Sequence, residues 1–198
     1  MPAVALGDRA AHGWNPPAYA ALLGVQYAPA TKLPPVELAA RLDTILAAAE
    51  ALVRRFPEVA LDSVPPERER SIRDLAYHIF RLSLAFIEGM DAGKLGQAFL
   101  TETAPEAMRD GLAVGSYGAL VRARLSGWYE GTDADEYARV VEVYYGPQSG
   151  HELLERTTWH AAQHLRQLYV LSERIGVTPP GALPVLAFAG LPLPEALW

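Results

Sequence analysis

The stretch ELLERTTWHAAQHLRQLYVLSERIG, residues 152–176, decides the fold of this chain. It contains no proline and ends at Gly176, so it predicts one helix of about seven turns at a rise of 1.5 Å per residue. At about 100° per residue, apolar side chains recur along one face of this helix, and that face must be buried. His160 and His164 lie in the middle of the same face, on successive turns. Two buried imidazoles need partners, so this pair is the predicted functional centre.

Three more long helices and several irregular connections are predicted in the rest of the chain. The predicted helices span residues 35–56, 71–91 and 116–129, and the period of the third places Leu120 on its inner face. Pro35 suits a first helical turn, Pro57 ends the first of these helices, and Ser71 is a plausible N-cap for the second. The glycine-rich residues 93–115 predict a loop with one short helix near residues 105–109. The β-branched and aromatic run 140–145 predicts a short extended segment or edge strand.

Four helices with long connections predict an all-α four-helix bundle over residues 35–176. Residues 1–34 are rich in Ala, Pro and Gly and predict an irregular arm with one short helix at residues 18–23. Residues 177–198 combine prolines with apolar side chains, which predicts a helix-free tail lying on the surface or across a subunit interface. We expect a single domain over residues 1–198 and a homodimer formed through the arm and tail.

Composition excludes several classes of function. The 198 residues carry a net charge of −6, which argues against nucleic-acid binding that depends on a basic surface. No apolar run approaches the roughly 20 residues of a membrane span, and the first residues lack the pattern of an export signal, so we expect a cytoplasmic protein. The absence of cysteine excludes disulfides, thiolate nucleophiles and zinc sites built from thiolates.

The histidine spacing predicts a candidate metal site. His160 and His164 present two ring nitrogens from neighbouring turns, and His78 lies close to the inner face of the second long helix. His151 is turned to the other side of its helix, and His12 lies in the arm. From spacing alone, a metal site and a hydrogen-bonded core pair both stay open. Haem is disfavoured, because two histidines on adjacent turns of one helix cannot occupy opposite axial positions.

Two segments carry a resemblance to a known family. RDLAYHIFRL, residues 73–82, and TTWHAAQHLRQL, residues 157–168, resemble the DinB/YfiT-like superfamily of metal-binding four-helix bundles. The resemblance implies that His78, His160 and His164 bind one divalent transition metal such as zinc, nickel or iron. It also implies that Gln167 supports a ligand without touching the ion. The ending GLPLPEALW, residues 190–198, is similar to that of a subgroup with some members fused to a glutaredoxin-like domain.

The resemblance implies an activity only in outline. It indicates a metal-dependent hydrolase, or a transferase that uses a low-molecular-weight thiol, acting on a small-molecule substrate. A non-catalytic metal-binding or dimerisation module is the alternative, and access to the ion distinguishes it from an enzyme. Many members have a further histidine where Gln163 stands and an arginine where Leu165 stands. No general base stands out, since Asp74 is better explained as a helix-start carboxylate, and the catalytic residues stay unassigned.

Overall fold

Long helices joined by extended connections carry the buried core of this computed structural model, which describes residues 3–12, 15–28 and 31–198. In chain order the elements are β1 (Ala3–Leu6), β2 (Arg9–His12), α1 (Pro16–Leu23), α2 (Pro35–Val53), α3 (Glu58–Leu61), α4 (Ile72–Ala92), β3 (Lys94–Leu95), α5 (Gly111–Glu130), β4 (Val140–Val143), β5 (Gly146–Ser149) and α6 (Gly150–Arg174). Short 3₁₀ turns lie at Ala98–Leu100, Ala134–Ala138 and Val185–Phe188.

The four long helices α2, α4, α5 and α6 form a bundle. Both α2 and α4 pack against α5 and α6, whereas α2 and α4 meet each other far less, so they lie on one diagonal of the bundle. The centre is filled by large side chains with no exposed surface, among them Phe80, Phe86, Leu42, Ile45 and Ile79. The predicted all-α four-helix bundle is confirmed. Helix α6 therefore lies beside α4, which brings the two histidine-bearing helices together.

The predicted start of α4 is confirmed by its cap. Ser71 Oγ accepts a hydrogen bond from the Asp74 backbone N–H at 3.0 Å, which satisfies a donor left free at the helix start. Gly93 ends the helix in the left-handed conformation at φ 69°, where glycine carries no steric penalty. Helix α2 begins at Pro35 as predicted but ends at Val53. Phe56 lies beyond the helix end and is still buried.

Helix α5 differs from its prediction. It begins at Gly111, five residues before the predicted start, and Asp110 caps it by accepting from the Ala113 backbone N–H. Its glycines had indicated a loop, yet they allow close helix packing. Leu120, expected on the inner face, is 71% exposed. The short helix expected near residues 105–109 is wrong, because this segment is a turn closed by Met108 N–H and the Pro105 carbonyl.

Two small sheets accompany the bundle. The extended segment is confirmed as β4, but the edge-strand alternative is wrong, because β4 pairs in parallel with β3 and antiparallel with β5. The arm is not irregular throughout: β1 and β2 form an antiparallel hairpin, a local pairing that short alternating segments can form. The short helix in the arm is confirmed as α1, and it starts two residues early because Asn15 caps it.

The proline-rich tail packs back on the bundle. Ala187 and Leu191 are buried, and Trp198 lies under the guanidinium groups of Arg68 and Arg174, at 5.8 Å and 5.6 Å. The helix-free prediction is corrected by the short 3₁₀ turn at Val185–Phe188. In the part of the chain that the structure describes, no helix is long and apolar enough to cross a bilayer. The single-domain division stays a prediction.

Two glycines of α5 are expected to respond oppositely to alanine. A Cβ at Gly118 would lie 2.6 Å from ring carbons of the fully buried Phe80, whereas a Cβ at Gly127 would meet nothing within 4 Å. Gly118→Ala should therefore lower the free energy of unfolding by about 1–3 kcal/mol through overpacking. Gly127→Ala should raise it by about 0.5 kcal/mol through helix propensity. Urea unfolding of both variants tests this, and shifts of equal sign would contradict it.

Candidate metal centre

The start of α6 fixes the register of its histidines. Ser149 and Glu152 form a capping box, in which each side chain accepts a hydrogen bond from the backbone N–H of the other, at 3.2 Å and 2.9 Å. Such a box anchors the first turn of a helix. From there, His160 and His164 follow on one face, and their ring centroids are 4.6 Å apart. The two rings of the predicted i, i+4 pair therefore lie next to each other on successive turns of the helix.

His78 completes a cluster of three imidazoles. It projects from α4, and its ring centroid lies 5.6 Å from that of His160 and 5.3 Å from that of His164. Each ring offers one nitrogen, and these three atoms lie within 4.8 Å of one another. Ligands around a tetrahedral ion at about 2.1 Å lie roughly 3.4 Å apart, so small ring rotations suffice for shared coordination. The structure brings the three predicted histidines together, and their role as ligands stays a prediction.

The environment of the cluster keeps the rings neutral. His78 and His164 are 2% and 4% exposed, and burial lowers the pKa of His164 to about 4 despite its hydrogen bond to Gln167. Burial lowers the pKa of His78 to about 2, and the positive charge of protonated His164 would act in the same direction. Burial likewise holds the pKa of His160 well below 6.5. Neutral imidazole is the form that binds metals.

The donor set fits a divalent transition metal. His78 Nδ1 is buried and has no hydrogen-bond partner among the described residues, although buried polar atoms are normally paired. A buried ring nitrogen without a hydrogen-bond partner can bind a metal ion in its neutral form, and His78 lies beside two other imidazoles. Imidazole is a ligand for zinc, iron and nickel alike. The cluster itself therefore favours a divalent metal over an ordinary core role for these histidines, and it leaves the identity of the metal open.

Gln167 links the cluster to the tail. Its side-chain nitrogen Nε2 donates to the Leu197 carbonyl at 2.6 Å, so its oxygen Oε1 faces His164 Nδ1 at 2.8 Å. An amide oxygen only accepts, so His164 Nδ1 carries the proton and the lone pair is left on Nε2. Hydrogen bonds of this kind fix the tautomer of metal-binding histidines. Gln167 thus makes the contact that its predicted supporting role requires.

The two sides of the cluster differ in access. On the tail side, Gln163 Nε2 donates to the carbonyls of Ala196 and Leu197 at 3.0 Å and 2.7 Å, so the tail covers this part of α6. On the other side, His160 is partly exposed and borders a cavity of about 20 Å³. This volume holds about one water molecule. The cluster is therefore closed at the tail and open at His160.

The remaining candidate residues lie elsewhere. His151 Nε2 donates to the Leu33 carbonyl at 2.7 Å, and His12 is exposed in β2, so neither joins the cluster. Asp74 accepts hydrogen bonds from Ser71 and from the Ala104 backbone N–H, which fits the helix-start role predicted for it.

Two residues beside the cluster were missed in the sequence. Arg156 and Tyr145 line the cavity at His160. Arg156 precedes His160 by four residues, or about one helical turn. The spacing that places His160 and His164 on one face of α6 therefore places Arg156 on that face as well. Tyr145 comes from the turn after β4, and nothing in its local sequence places it there.

Comparison with solved structures shows the same fold in bacterial proteins. A DinB-like protein from Bacillus subtilis, YjoA, superposes with a TM-score of 0.59 at 16% identity, over 74% of this chain and 95% of its own. A DinB-like protein from Bacillus cereus gives 0.57 at 14% identity, over 70% and 90%. YfiT from Bacillus subtilis, described as a probable metal-dependent hydrolase with an unusual four-helix bundle topology, gives 0.57 at 16% identity, over 78% and 96%.

Sequence comparison agrees with the fold. No curated protein matches the sequence, but the sequence model of the DinB superfamily matches residues 41–168. This range contains the three clustered histidines and all of the bundle except the beginning of α2 and the last residues of α6. The resemblance read from the two histidine segments is thereby confirmed: the chain belongs to the DinB superfamily.

Proposed function

We propose that the protein is a hydrolase that uses one divalent metal ion held by His78, His160 and His164. The observation that carries this proposal is the meeting of three neutral imidazoles, one of which borders a cavity. A closed structural site has four protein ligands, whereas three leave a position for water or substrate. The description of the similarly folded YfiT as a probable metal-dependent hydrolase supports the same function.

The ion proposed for this site is zinc, nickel or iron, because imidazole ligands suit all three. When bound, such an ion supplies a Lewis acid that makes water nucleophilic near neutral pH. The chain's own contribution is to hold the rings in place. His164 is oriented by Gln167, which is itself held by the Leu197 carbonyl. His78 is fixed by burial in α4, and His160 stands at the cavity, where substrate would enter.

Two other functions are alternatives to the hydrolase: exposure of the site disfavours one of them, and an experiment decides on the other. A sealed, non-catalytic metal-binding module is disfavoured because His160 stays partly exposed. A transferase that uses a low-molecular-weight thiol would need the same open position, so it is decided by experiment. The expected homodimer stays a prediction, supported by the tail residues Val185 and Leu186, which are apolar and 61% and 85% exposed.

The test is hydrolysis by protein loaded with one metal at a time. Chelator-stripped protein should not cleave a panel of p-nitrophenyl esters and amides, and reloading with zinc, nickel or iron should restore turnover. His164→Ala should stay inactive after reloading, whereas His151→Ala, on the same helix but outside the cluster, should match the wild type.

Glutathione and cysteine are then added with an electrophilic substrate. Consumption of thiol without hydrolysis would contradict the hydrolase and support a thiol-dependent transferase. Metal binding without either reaction would favour the non-catalytic module.

A further inference from the structure

Among the residues that the structure describes, no acidic side chain forms an ion pair with Arg156, which lies beside the candidate metal centre. Seven of the fifteen arginines form ion pairs with carboxylates in the described part of the chain, namely Arg41, Arg54, Arg73, Arg81, Arg122, Arg139 and Arg174. Arg156 is instead held by aromatic rings, with its guanidinium 4.3 Å from the centroid of Tyr145 and 5.5 Å from that of Trp159. Cation–π contacts orient the group but leave its charge uncompensated.

Tyr145 adds a second free donor at the same place. Its side chain is 4% exposed, and its hydroxyl is buried without a hydrogen-bond partner among the described residues. Burial raises the pKa of Tyr145 well above its ordinary value, so the hydroxyl keeps its proton at neutral pH. A buried hydroxyl left unpaired is costly, so Tyr145 is a donor for an oxygen atom, of water or of a ligand, that enters the cavity it lines.

Both residues line one small cavity beside the candidate metal centre, and a larger cleft shares part of the wall of this cavity. The cavity of about 20 Å³ is bordered by Arg156, Tyr145 and His160. Leu95, Phe99 and Tyr144 form part of its wall and also line an adjoining cleft of about 550 Å³. A ligand group held in the small cavity would have this cleft on the other side of the shared wall, where the rest of a small molecule has room.

We propose that Arg156 and Tyr145 form a subsite for a carboxylate group of the substrate, next to His160. A planar guanidinium and a hydroxyl donor suit the two oxygens of a carboxylate. A carboxylate is smaller than a tetrahedral phosphate, and because the cavity holds about one water molecule, the side chains around it would shift apart to admit the carboxylate. As a statement about the substrate, this inference rests on the proposed hydrolase; the anion site itself does not require the metal.

The adjoining cleft restricts the rest of the substrate. Arg81 in its wall is already paired with Glu88 and Glu102, and Glu142 adds another acidic group beside Lys94. A second anionic group would meet this acidic rim, whereas an apolar chain would contact Leu95, Phe99 and Tyr144. The expected ligand is therefore a monocarboxylate with a neutral, largely apolar remainder.

The test compares hexanoate with hexanamide, which share a chain but differ in charge, by calorimetric titration of metal-free protein. Wild type should bind hexanoate at least roughly tenfold more tightly than hexanamide, since hydrogen bonds to charged groups are worth a factor of this order or more. Arg156→Gln should remove that preference. Tyr145→Phe, which keeps the ring under Arg156, should weaken hexanoate binding by roughly three- to tenfold. Arg124→Gln, an exposed arginine on α5 with the same charge change, should leave it unaltered.

The outcomes separate this inference from the proposed hydrolase. Equal hexanoate affinity in wild type and in folded Arg156→Gln or Tyr145→Phe would overturn the subsite. Circular dichroism and thermal unfolding confirm that each variant is folded. The titrations use metal-free protein, so a charge-selective subsite could be found even if metal binding or turnover failed. Loss of the subsite would in turn leave metal loading by the three histidines untouched.

Discussion

Replacing His160 by alanine is expected to remove tight divalent-metal binding from the protein. Wild type should hold about one ion per chain, because three neutral imidazoles meet in one place. Loss of a residue that merely supports a ligand costs about 10–100-fold in affinity, so loss of a direct ligand should cost more than roughly 100-fold. His160 is only partly buried, so the variant is expected to fold. Elemental analysis after gel filtration, with competition against a coloured chelator, measures the effect.

His151→Ala is the matched control for this result. It also removes an imidazole from α6, but His151 bonds to the Leu33 carbonyl and lies outside the cluster. Its metal content should equal that of the wild type. Equal divalent metal in wild type and in His160→Ala would exclude the assigned ligand set, and with it the chemistry of the proposed hydrolase.

Metal-free protein is expected to lose stability steeply as the pH falls below 6.5. The pKa values of the three clustered histidines are depressed in the folded protein, whereas in the unfolded chain they lie near 6.5. The unfolded state then binds more protons than the folded state. The contribution of the three histidines to the free energy of unfolding is therefore fully present above pH 6.5, and it is lost as the pH falls towards their pKa values in the folded protein. Three such groups lower the free energy of unfolding by about 5 kcal/mol between pH 6.5 and pH 5, which is similar to the whole stability of many domains.

Urea unfolding of metal-free protein at several pH values between 7.5 and 5 measures this loss. His160→Gln removes one of the three titrations, so its stability should fall about one third less steeply. A flat stability profile would contradict the buried, neutral state of the cluster. Zinc-loaded protein should resist the decrease until protons compete with the ion for the rings.

The candidate site was largely predictable from the sequence because it depends on helical periodicity. The spacing of His160 and His164, and the position of His78 near the inner face of its helix, follow from 3.6 residues per turn once the helices are recognised. Ser71 and Pro35 marked helix starts through local capping chemistry. These features depend on neighbours in sequence, and so they could be found without the fold.

The errors arise where distant contacts decide the structure. Gly111 and Gly115 indicate a loop by composition, yet they lie in α5, and a Cβ at either would overlap with residues 53–56, the last residue of α2 and the turn after it. Periodicity predicts Leu120 on the inner face, but Leu120 is exposed, because α5 turns the face with Gly111, Gly115 and Gly118 towards the core. Strand β4 is internal because β3, more than 40 residues earlier in the chain, pairs with it.

The tail binds Gln163, a position at which the sequence departs from the pattern that the resemblance implies. Gln163 stands where many members have a further histidine, and its amide donates to the carbonyls of Ala196 and Leu197. Arg166 donates to the Pro194 carbonyl from the next turn. These bonds link positions about 30 residues apart, so neither the position of the tail nor the hydrogen bond between Gln167 and Leu197 could be read from local sequence.

The contact between Gln167 and the Leu197 carbonyl has a practical consequence for handling the protein. An affinity tag fused after Trp198 would begin two positions beyond Leu197, whose carbonyl orients Gln167 and hence His164. It would also disturb the Trp198 indole beneath Arg68 and Arg174. A polyhistidine tag there would bring additional imidazoles close to the cluster and distort measured stoichiometry. Expression vectors should therefore place any purification handle before Met1, with a protease cleavage site.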